Sequence, residues 1–401
     1  MLTNRQLFLL HLGQTSKSPL MLEIEKAEGV FMYGNSGEKY LDLISGVSVS
    51  NTGHRHPAVV KAVKDQADSY LHLMVYGEMI QNPQVKYAAR LAELLPSSLE
   101  NCYFVNSGSE AVEGALKLAK KFTGRSRIIY FRNSYHGSTH GALSVQGSET
   151  YRNAFRPLLP DTWQIDFNDF QALGSIDNQT ACVIVEPVQA EAGVIYPKKG
   201  FLEEIRKSCS ESGALLVFDE VQTGFGRTGT MFAIDRFKVV PDILVLAKAL
   251  GGGMPLGAFI SSKEVMSALI ADPELGHITT FGGHPVCCAA GLASLEVIIN
   301  EDLVSSCKAK SALFRKELVH PLISEIRGEG LLIAVRLSMP EFVQYAISHA
   351  PEYGIILDYF LFCDDAFRIA PPLTINDDEI KYACRQLLSL LDEARLKVRD
   401  K

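Results

Sequence analysis

Continuous apolar runs alternate with stretches of helical periodicity through the middle of the chain. The runs 181–185, 214–218 and 243–246 are short and rich in Val, Ile and Leu, which is typical of strands buried on both faces. Between the first two, residues 200–212 place apolar side chains at helical spacing and end at Gly213. This alternation predicts an α/β fold with a mostly parallel central sheet flanked by helices.

The two ends of the chain have other patterns. Residues 23–53 predict short strands, with a hairpin turn at 35–38, and helical spacing follows at 57–70 and 83–95. After about residue 300 the predicted elements are a helix over 301–318, a strand over 331–337, a helix over 340–349, short strands within 354–370 and a helix over 377–397.

These patterns predict three parts. We expect an N-terminal segment over 1–52 that packs with a small domain, a large domain over 53–298, and a C-terminal small α+β domain over 299–401.

The composition narrows the class of protein. Of 401 residues 47% are hydrophobic and 21% are charged, so the bulk of the chain is not disordered. The formal net charge is −7 with no long basic run, and no apolar run reaches membrane-spanning length, so we expect neither nucleic acid nor a membrane as partner. Eight cysteines without C-x-x-C spacing indicate neither a disulfide framework nor a metal site and favour the reducing cytoplasm.

Small residues follow the first predicted strand of the large domain. Ser107, Gly108 and Ser109 come after the apolar run 102–105 and open a helix. Ligands of parallel sheets bind just beyond the strand ends, and a helix N-terminus attracts anions, so this segment could hold a phosphate. The alternative is an ordinary helix cap.

Two further strands are followed by an aromatic ring and a carboxylate. Tyr135 and His136 follow the run 127–131, where the tyrosine could stack on a planar ligand; the alternative is a half-buried Tyr and a surface His. Asp219 follows the run 214–218, where it could pair with a cationic ring nitrogen; the alternative is a turn-forming Asp.

An amine completes the set. Lys248 follows the strand 243–246, where desolvation would lower its pKa and suit it to Schiff-base chemistry; the alternative is a surface lysine. Residues 224–229 match G-x-G-x-x-G, but they do not turn directly from strand into helix, so we expect no nicotinamide or flavin there. A phosphate cradle, a stacking ring, a carboxylate and an amine together fit pyridoxal phosphate.

With these residues identified, the sequence resembles the class-III pyridoxal-phosphate-dependent aminotransferases of fold type I, and within them the ornithine and acetylornithine branch. The likeness covers nearly the whole chain. It rests on the segments Gly53–Pro57, Asn106–Ala111, Glu186–Gly193, Phe218–Gly229, Pro241–Asp242 with Lys248, Thr279–Gly283 and Arg368–Pro372.

The resemblance implies roles for the matching residues. Lys248 would form a Schiff base with the cofactor and then move the reacting proton, and Asp219 would hold the ring nitrogen protonated. Thr280 would contact the cofactor phosphate of a neighbouring subunit, which implies a homodimer with shared sites. The implied cofactor-binding residues are Ser107, Gly108, Ser109, Tyr135, His136, Asp219, Val221, Gln222, Lys248 and Thr280.

The resemblance also bears on the substrate. Arg368 would bind a substrate carboxylate, Glu191 would mask it between half-reactions, and Glu186 would support the site. Two positions depart from the branch. Ser138 stands where relatives often carry an Arg that binds a distal carboxylate, and His284 stands where many carry Asn.

The expected activity is transfer of an amino group from ornithine, acetylornithine or a related ω-amino donor to a 2-oxo acid, by a ping-pong Schiff-base mechanism. One alternative is a racemase or aminomutase of the same fold, because such enzymes share the Lys248 and Asp219 chemistry. A second alternative is a non-catalytic dimeric binding protein.

Overall fold

The structure is a computed structural model that describes residues 2–398, so the outermost ends of the predicted first and third parts lie outside it. The strands are β1 (Ile24–Glu28), β2 (Phe31–Gly34), β3 (Lys39–Asp42), β4 (Asn101–Val105), β5 (Arg127–Phe131), β6 (Thr162–Ile165), β7 (Thr180–Val185), β8 (Leu215–Asp219), β9 (Ile243–Leu246), β10 (Gly257–Ser261), β11 (Ile323–Glu329), β12 (Leu332–Leu337), β13 (Ile355–Ile356), β14 (Asp358–Phe360) and β15 (Cys363–Ile369). The helices are α1 (Asn4–His11), α2 (Ser45–Ser48), α3 (Pro57–Ser69), α4 (Asn82–Leu94), α5 (Gly108–Thr123), α6 (His140–Ser144), α7 (Glu149–Arg152), α8 (Phe201–Ser212), α9 (Ala233–Phe237), α10 (Lys263–Met266), α11 (Pro285–Asn300), α12 (Leu303–Glu317), α13 (Pro340–His349) and α14 (Asp377–Lys397).

The central sheet has seven strands in the order β4-β10-β9-β8-β7-β5-β6. Neighbours from β9 to β6 pair in parallel, and β10 is antiparallel to both β9 and β4. Six strands therefore run in one direction and end at one edge, which we call the carboxyl edge. The prediction of a mostly parallel sheet flanked by helices is confirmed.

Both faces of this sheet are buried, which explains the continuous apolar runs. Along β8, Leu216 and Phe218 pack into one hydrophobic cluster, which also contains residues of α8 and α11. Leu215 and Val217 pack into a second cluster, which contains residues of α5. Because successive side chains of a strand point to opposite faces, both sets must be apolar when helices cover both faces.

Two four-stranded sheets lie outside the central sheet, in the orders β1-β2-β3-β13 and β11-β12-β15-β14. The predicted hairpin is present, since Met32 of β2 pairs antiparallel with Tyr40 of β3. On its other side β3 pairs with β13, where Leu41 faces Ile355. This contact between the N-terminal strands and the C-terminal region supports the predicted packing of the two, while the division at residues 52 and 298 stays a prediction.

Several elements escaped the sequence analysis, among them α11 and two strands of the central sheet, β6 and β10. The helix α11 packs against α3 and α4 and is mostly apolar, with Glu296 as its one charged residue, so it shows almost no amphipathic period. The strand β10 is short, fully buried and antiparallel within a parallel sheet. Within residues 2–398 no helix is long and apolar enough to cross a membrane, and no group of three His, Cys, Asp or Glu side chains could hold a metal ion.

The segment 224–229 is a series of turns, and the next helix begins only at Ala233. Its Arg227 is fully buried. The guanidinium donates hydrogen bonds to the carbonyl oxygens of Leu331 at 2.9 Å and Pro371 at 2.6 Å, and to the side chains of Ser45 and Asn51. Burial lowers the pKa of Arg227 to about 10, so it stays charged at neutral pH. The segment thus joins the N-terminal and C-terminal regions to the end of β8.

Candidate active site

A cavity of about 510 Å³ opens at the carboxyl edge of the central sheet. Its size is typical of sites for small molecules and cofactors. Residues that follow β4, β5, β7, β8 and β9 line it, so separate strands converge on one place. The predicted site residues that line the cavity are Ser107, Gly108, Ser109, Tyr135, His136, Glu186, Asp219, Val221, Gln222 and Lys248.

The N-terminus of α5 forms one end of the cavity. Ser107 caps this helix, and its Oγ accepts a hydrogen bond from the backbone N–H of Glu110 at 3.2 Å. A Cβ atom at Gly108 would lie 3.2 Å from Val221 Cγ1, so glycine allows this close approach. The first N–H groups of a helix have no partner within it and carry partial positive charge, which suits a phosphate.

A histidine–aspartate pair lies at the end of β8. Nδ1 of His136 is 2.6 Å from Oδ2 of Asp219, and both residues are buried. The other oxygen of Asp219 accepts a hydrogen bond from the backbone N–H of Val221 at 3.0 Å. Nε2 of His136 is buried and has no hydrogen-bond partner. The alternative of a surface histidine is therefore wrong.

Lys248 stands directly beyond β9, at the start of one turn of 3-10 helix. Its φ of +52° is a left-handed conformation that non-glycine residues seldom adopt, and such strain is concentrated at functional sites. Burial lowers the pKa of its amine. Nζ donates to Oε1 of Gln222 at 3.3 Å, while Nε2 of Gln222 is buried without a partner.

Glu186 holds two backbone segments at the cavity wall. One carboxylate oxygen accepts from the N–H of Tyr135 at 2.8 Å, and the other accepts from the N–H of Ala190 at 3.2 Å. Burial raises the pKa of Glu186 well above its usual value, and the negative charge of Asp219 raises it further. This carboxyl group links the tyrosine to the loop that carries Glu191.

A buried ion pair lies beside the cavity. Nη2 of Arg368 is 2.6 Å from Oε1 of Glu191, and Arg368 is only 1% exposed. Neither residue lines the cavity, but both charges act on the pKa of Lys248, where Glu191 raises it and Arg368 lowers it. Nε and Nη1 of Arg368 are buried and make no hydrogen bond.

Three further residues noted in the sequence analysis also lie outside the cavity. Ser138 is exposed; its N–H donates to Ser109 Oγ at 3.2 Å, and its hydroxyl is 3.3 Å from that of Tyr135. Thr280 is exposed and does not line this cavity. His284 caps α11, because its Nδ1 accepts from the N–H of Val286 at 3.3 Å.

The sequence analysis missed part of the lining. Val49 comes from the N-terminal segment, and Met254 and Leu256 follow the glycines after Lys248. Those glycines could have pointed to Met254 and Leu256. No local pattern could have pointed to Val49, because only the packing of the N-terminal segment brings it here.

The residues fit pyridoxal phosphate. A helix N-terminus suits its phosphate, a buried carboxylate suits its pyridinium nitrogen, and a lysine amine suits its aldehyde. The buried nitrogens of His136 and Gln222 that have no partner are further groups that a polar ligand could satisfy. The fold and the cavity define a pyridoxal-phosphate enzyme of fold type I.

Comparison with known proteins gives the family. Residues 12–391 match the family described as aminotransferase class-III. The acetylornithine aminotransferase of Methanopyrus kandleri is 40% identical over 387 residues, covering 95% of this chain and 96% of that protein. That of Clostridium acetobutylicum is 38% identical over 390 residues, covering 92% and 97%.

Solved structures of other aminotransferases are also similar to this chain. The ornithine aminotransferase of Toxoplasma gondii has a TM-score of 0.90 at 32% identity, covering 98% of this chain and 94% of that one. An (S)-enantioselective ω-transaminase of Thermomicrobium roseum has a TM-score of 0.90 at 30% identity, covering 97% of both chains. The present chain belongs to the class-III aminotransferases; it is an enzyme that transfers amino groups with pyridoxal phosphate as cofactor.

Proposed function

We propose that this aminotransferase takes the ω-amino group of ornithine, acetylornithine or a related donor and passes it to a 2-oxo acid. The observation that carries the proposal is the buried Glu191–Arg368 pair beside Lys248. A guanidinium with unpartnered donors can bind a substrate carboxylate, and a carboxylate that covers it can leave for that purpose. The acetylornithine and ornithine aminotransferases among the similar proteins support this donor class.

Different cavity residues would bind different parts of the cofactor. Ser107, Gly108 and Ser109 would bind its phosphate, and Asp219 would pair with its ring nitrogen. Its two ring faces and its hydroxyl would meet Tyr135, His136, Val221 and Gln222. When bound, pyridoxal phosphate supplies an aldehyde that captures an amino group and a ring that accepts electrons.

Lys248 is the group that we propose to move the proton. The lowered pKa of its amine favours the neutral form, which can take a proton from the carbon that bears the amino group. His136 donates a hydrogen bond to Asp219 and keeps that carboxylate oriented. Glu186 fixes the backbone of Tyr135 through a 2.8 Å hydrogen bond.

We also propose a homodimer in the cytoplasm. The segments around residues 71–85 and 270–283 expose apolar side chains beside Thr280, and Ile80 is 93% exposed. Such a patch favours association with another chain, and Thr280 would then reach the partner's cofactor. Eight free cysteines suit a reducing compartment. Light scattering should give twice the chain mass, and Ile80→Asp should shift the protein toward monomers with weaker cofactor binding.

The test of the activity is an absorbance spectrum of the purified protein during titration with ornithine, acetylornithine, 4-aminobutyrate, glutamate and β-alanine. Conversion of the visible cofactor band to that of the amine form, with release of an oxo product, is expected for one of these donors. A band that persists while the substrate loses chirality or shifts its amino group would indicate a racemase or aminomutase. No band after addition of pyridoxal phosphate would indicate a non-catalytic binding protein.

A further inference from the structure

A second carboxylate lies beside Arg368. Oδ2 of Asp358 is 3.7 Å from Nη1 of Arg368, whereas Glu191 contacts the other terminal nitrogen, Nη2. Strand pairing explains the position, since Asp358 of β14 lies directly opposite Arg368 of β15. The guanidinium therefore has an acidic neighbour at each of its terminal nitrogens.

The two carboxylates belong to different parts of the chain. Asp358 belongs to the same sheet as Arg368, and its Oδ1 accepts a hydrogen bond from the N–H of Tyr359 at 2.9 Å. Glu191 lies in the loop after β7, and its Oε2 accepts from the N–H of Leu361 at 3.1 Å. If Glu191 moves away to admit a substrate, Asp358 stays with the arginine because the strand pair fixes it.

Asp358 offsets the positive charge of Arg368 but accepts no hydrogen bond from the guanidinium. A separation of 3.7 Å is an ion pair and not a hydrogen bond, and Nε and Nη1 remain without partners. The ring of Phe360 lies 4.8 Å from the guanidinium carbon. A ligand carboxylate can therefore reach the free donors, but it must approach a site where Asp358 already offsets the positive charge.

We infer that Asp358 is a specificity-determining residue, which weakens the attraction of Arg368 for substrate carboxylates and so narrows the preference of the enzyme for ligands that carry a carboxylate over amines that carry none. This rests on the proposed function, in which Arg368 binds a carboxylate. With Glu191 displaced, Arg368 and Asp358 together carry no net charge. A substrate carboxylate therefore gains less binding free energy at this position than it would beside an arginine with no acidic neighbour.

Ser138 is a second position that bears on how a substrate carboxylate is bound. Its hydroxyl, 3.3 Å from that of Tyr135, is neutral, so this position offers no guanidinium to a distal carboxylate. The donor class that fits both positions is a terminal primary amine on an alkyl chain, and the ω-amino groups proposed above belong to it.

The test compares two ligands of the holoenzyme. Pentanoate carries a carboxylate but no amino or oxo group, and butylamine carries an amine but no carboxylate. Asp358→Asn keeps the shape of the side chain and removes its charge. We expect the dissociation constant of pentanoate, measured by calorimetry, to fall about three- to tenfold. The KM for butylamine should stay within about twofold of the wild-type value, because Glu191 still covers the arginine.

Asp364→Asn is the matched control, since Asp364 is exposed on the neighbouring strand β15; both constants should be unchanged in it. Melting temperature and cofactor absorbance show whether Asp358→Asn is folded. If that variant does not fold, Asp358→Ser is measured in its place. An unchanged pentanoate constant would overturn the inference, as would an equal change for both ligands, which indicates general distortion. A wild-type enzyme that reacts with no amine refutes the proposed donor class, while pentanoate binding still reports on Asp358.

Discussion

Nδ1 of His136 lies 2.6 Å from Oδ2 of Asp219, inside the cavity and away from solvent. Asp219 accepts a second hydrogen bond from the N–H of Val221, so both of its oxygens are engaged on the protein side. A buried carboxylate held in this way keeps its orientation and needs no rearrangement when a cationic group arrives.

Asp219→Asn should slow the reaction with an amino donor about 100- to 1000-fold, because an amide supplies no negative charge to a cationic ring nitrogen. Stopped-flow absorbance of the cofactor band measures this rate. The cofactor released by alkali should remain close to one per subunit, since the phosphate residues are unchanged. A rate near that of the wild type would show that the reaction does not need the charge of Asp219.

Lys248→Ala should reduce turnover by at least about 1000-fold, because the variant lacks both the Schiff-base amine and the group that moves the proton. Reduction with borohydride followed by peptide mass measurement gives an independent readout. The wild-type peptide with Lys248 should gain the mass of the cofactor less one oxygen atom, because Schiff-base formation releases water and reduction adds two hydrogens, and no other lysine peptide should. Covalent cofactor on a different lysine would place the chemistry elsewhere.

Ser138→Arg should lower the KM for 2-oxoglutarate about tenfold or more, because a guanidinium then faces the distal carboxylate. The KM for pyruvate, which has no second carboxylate, should change little. Ser138→Ala tests whether loss of the hydroxyl alone matters. If the KM for 2-oxoglutarate does not move, position 138 does not contact the substrate.

Arg227→Met should destabilise the protein by about 3 kcal/mol or more, because it leaves the buried acceptors of Leu331, Pro371 and Asn51 without a donor. Thermal or urea unfolding measures this loss. Arg132→Met removes an exposed ion pair with Asp166 and should cost about 1 kcal/mol or less. If the two substitutions lower the free energy of unfolding equally, the hydrogen bonds of Arg227 do not stabilise the contact between the regions that it touches.

His284 gives stability a pH dependence. Burial lowers the pKa of His284, and the nearby His72 lowers it further. A histidine whose pKa is lower in the folded state stabilises the fold above its unfolded value of about 6.5, and this contribution is lost as the pH falls through the folded-state pKa. Protonation also removes the Nδ1 acceptor that caps α11.

His284→Asn keeps a capping side chain that does not titrate. Between about pH 7.5 and pH 5 the wild type should therefore lose up to about 1 kcal/mol more stability than this variant. Urea unfolding at both pH values measures the difference. Parallel losses in the two proteins would mean that other groups set the acid sensitivity.

The sequence determined five of the seven strands of the central sheet, β4, β5, β7, β8 and β9, and the residues at its carboxyl edge. The strand β9 and the helices α13 and α14 have the bounds that the apolar pattern predicts. Asp219 and Lys248 could be placed together from the sequence alone, because each comes at or just after the end of a predicted strand. Parallel strands end at the same edge of a sheet, so the residues at those ends lie close together. The resemblance to a family then supplied the roles.

Only the tertiary structure decided the contacts that span the chain. Val49 lines the cavity, Arg227 is buried against Leu331 and Pro371, and Asp358 faces Arg368. None of these follows from the spacing of nearby residues. Each depends on which strands pair and in which register, and the packing of distant segments fixes that register. Hydrophobic periodicity reports which face of an element is buried, but not what is buried against it.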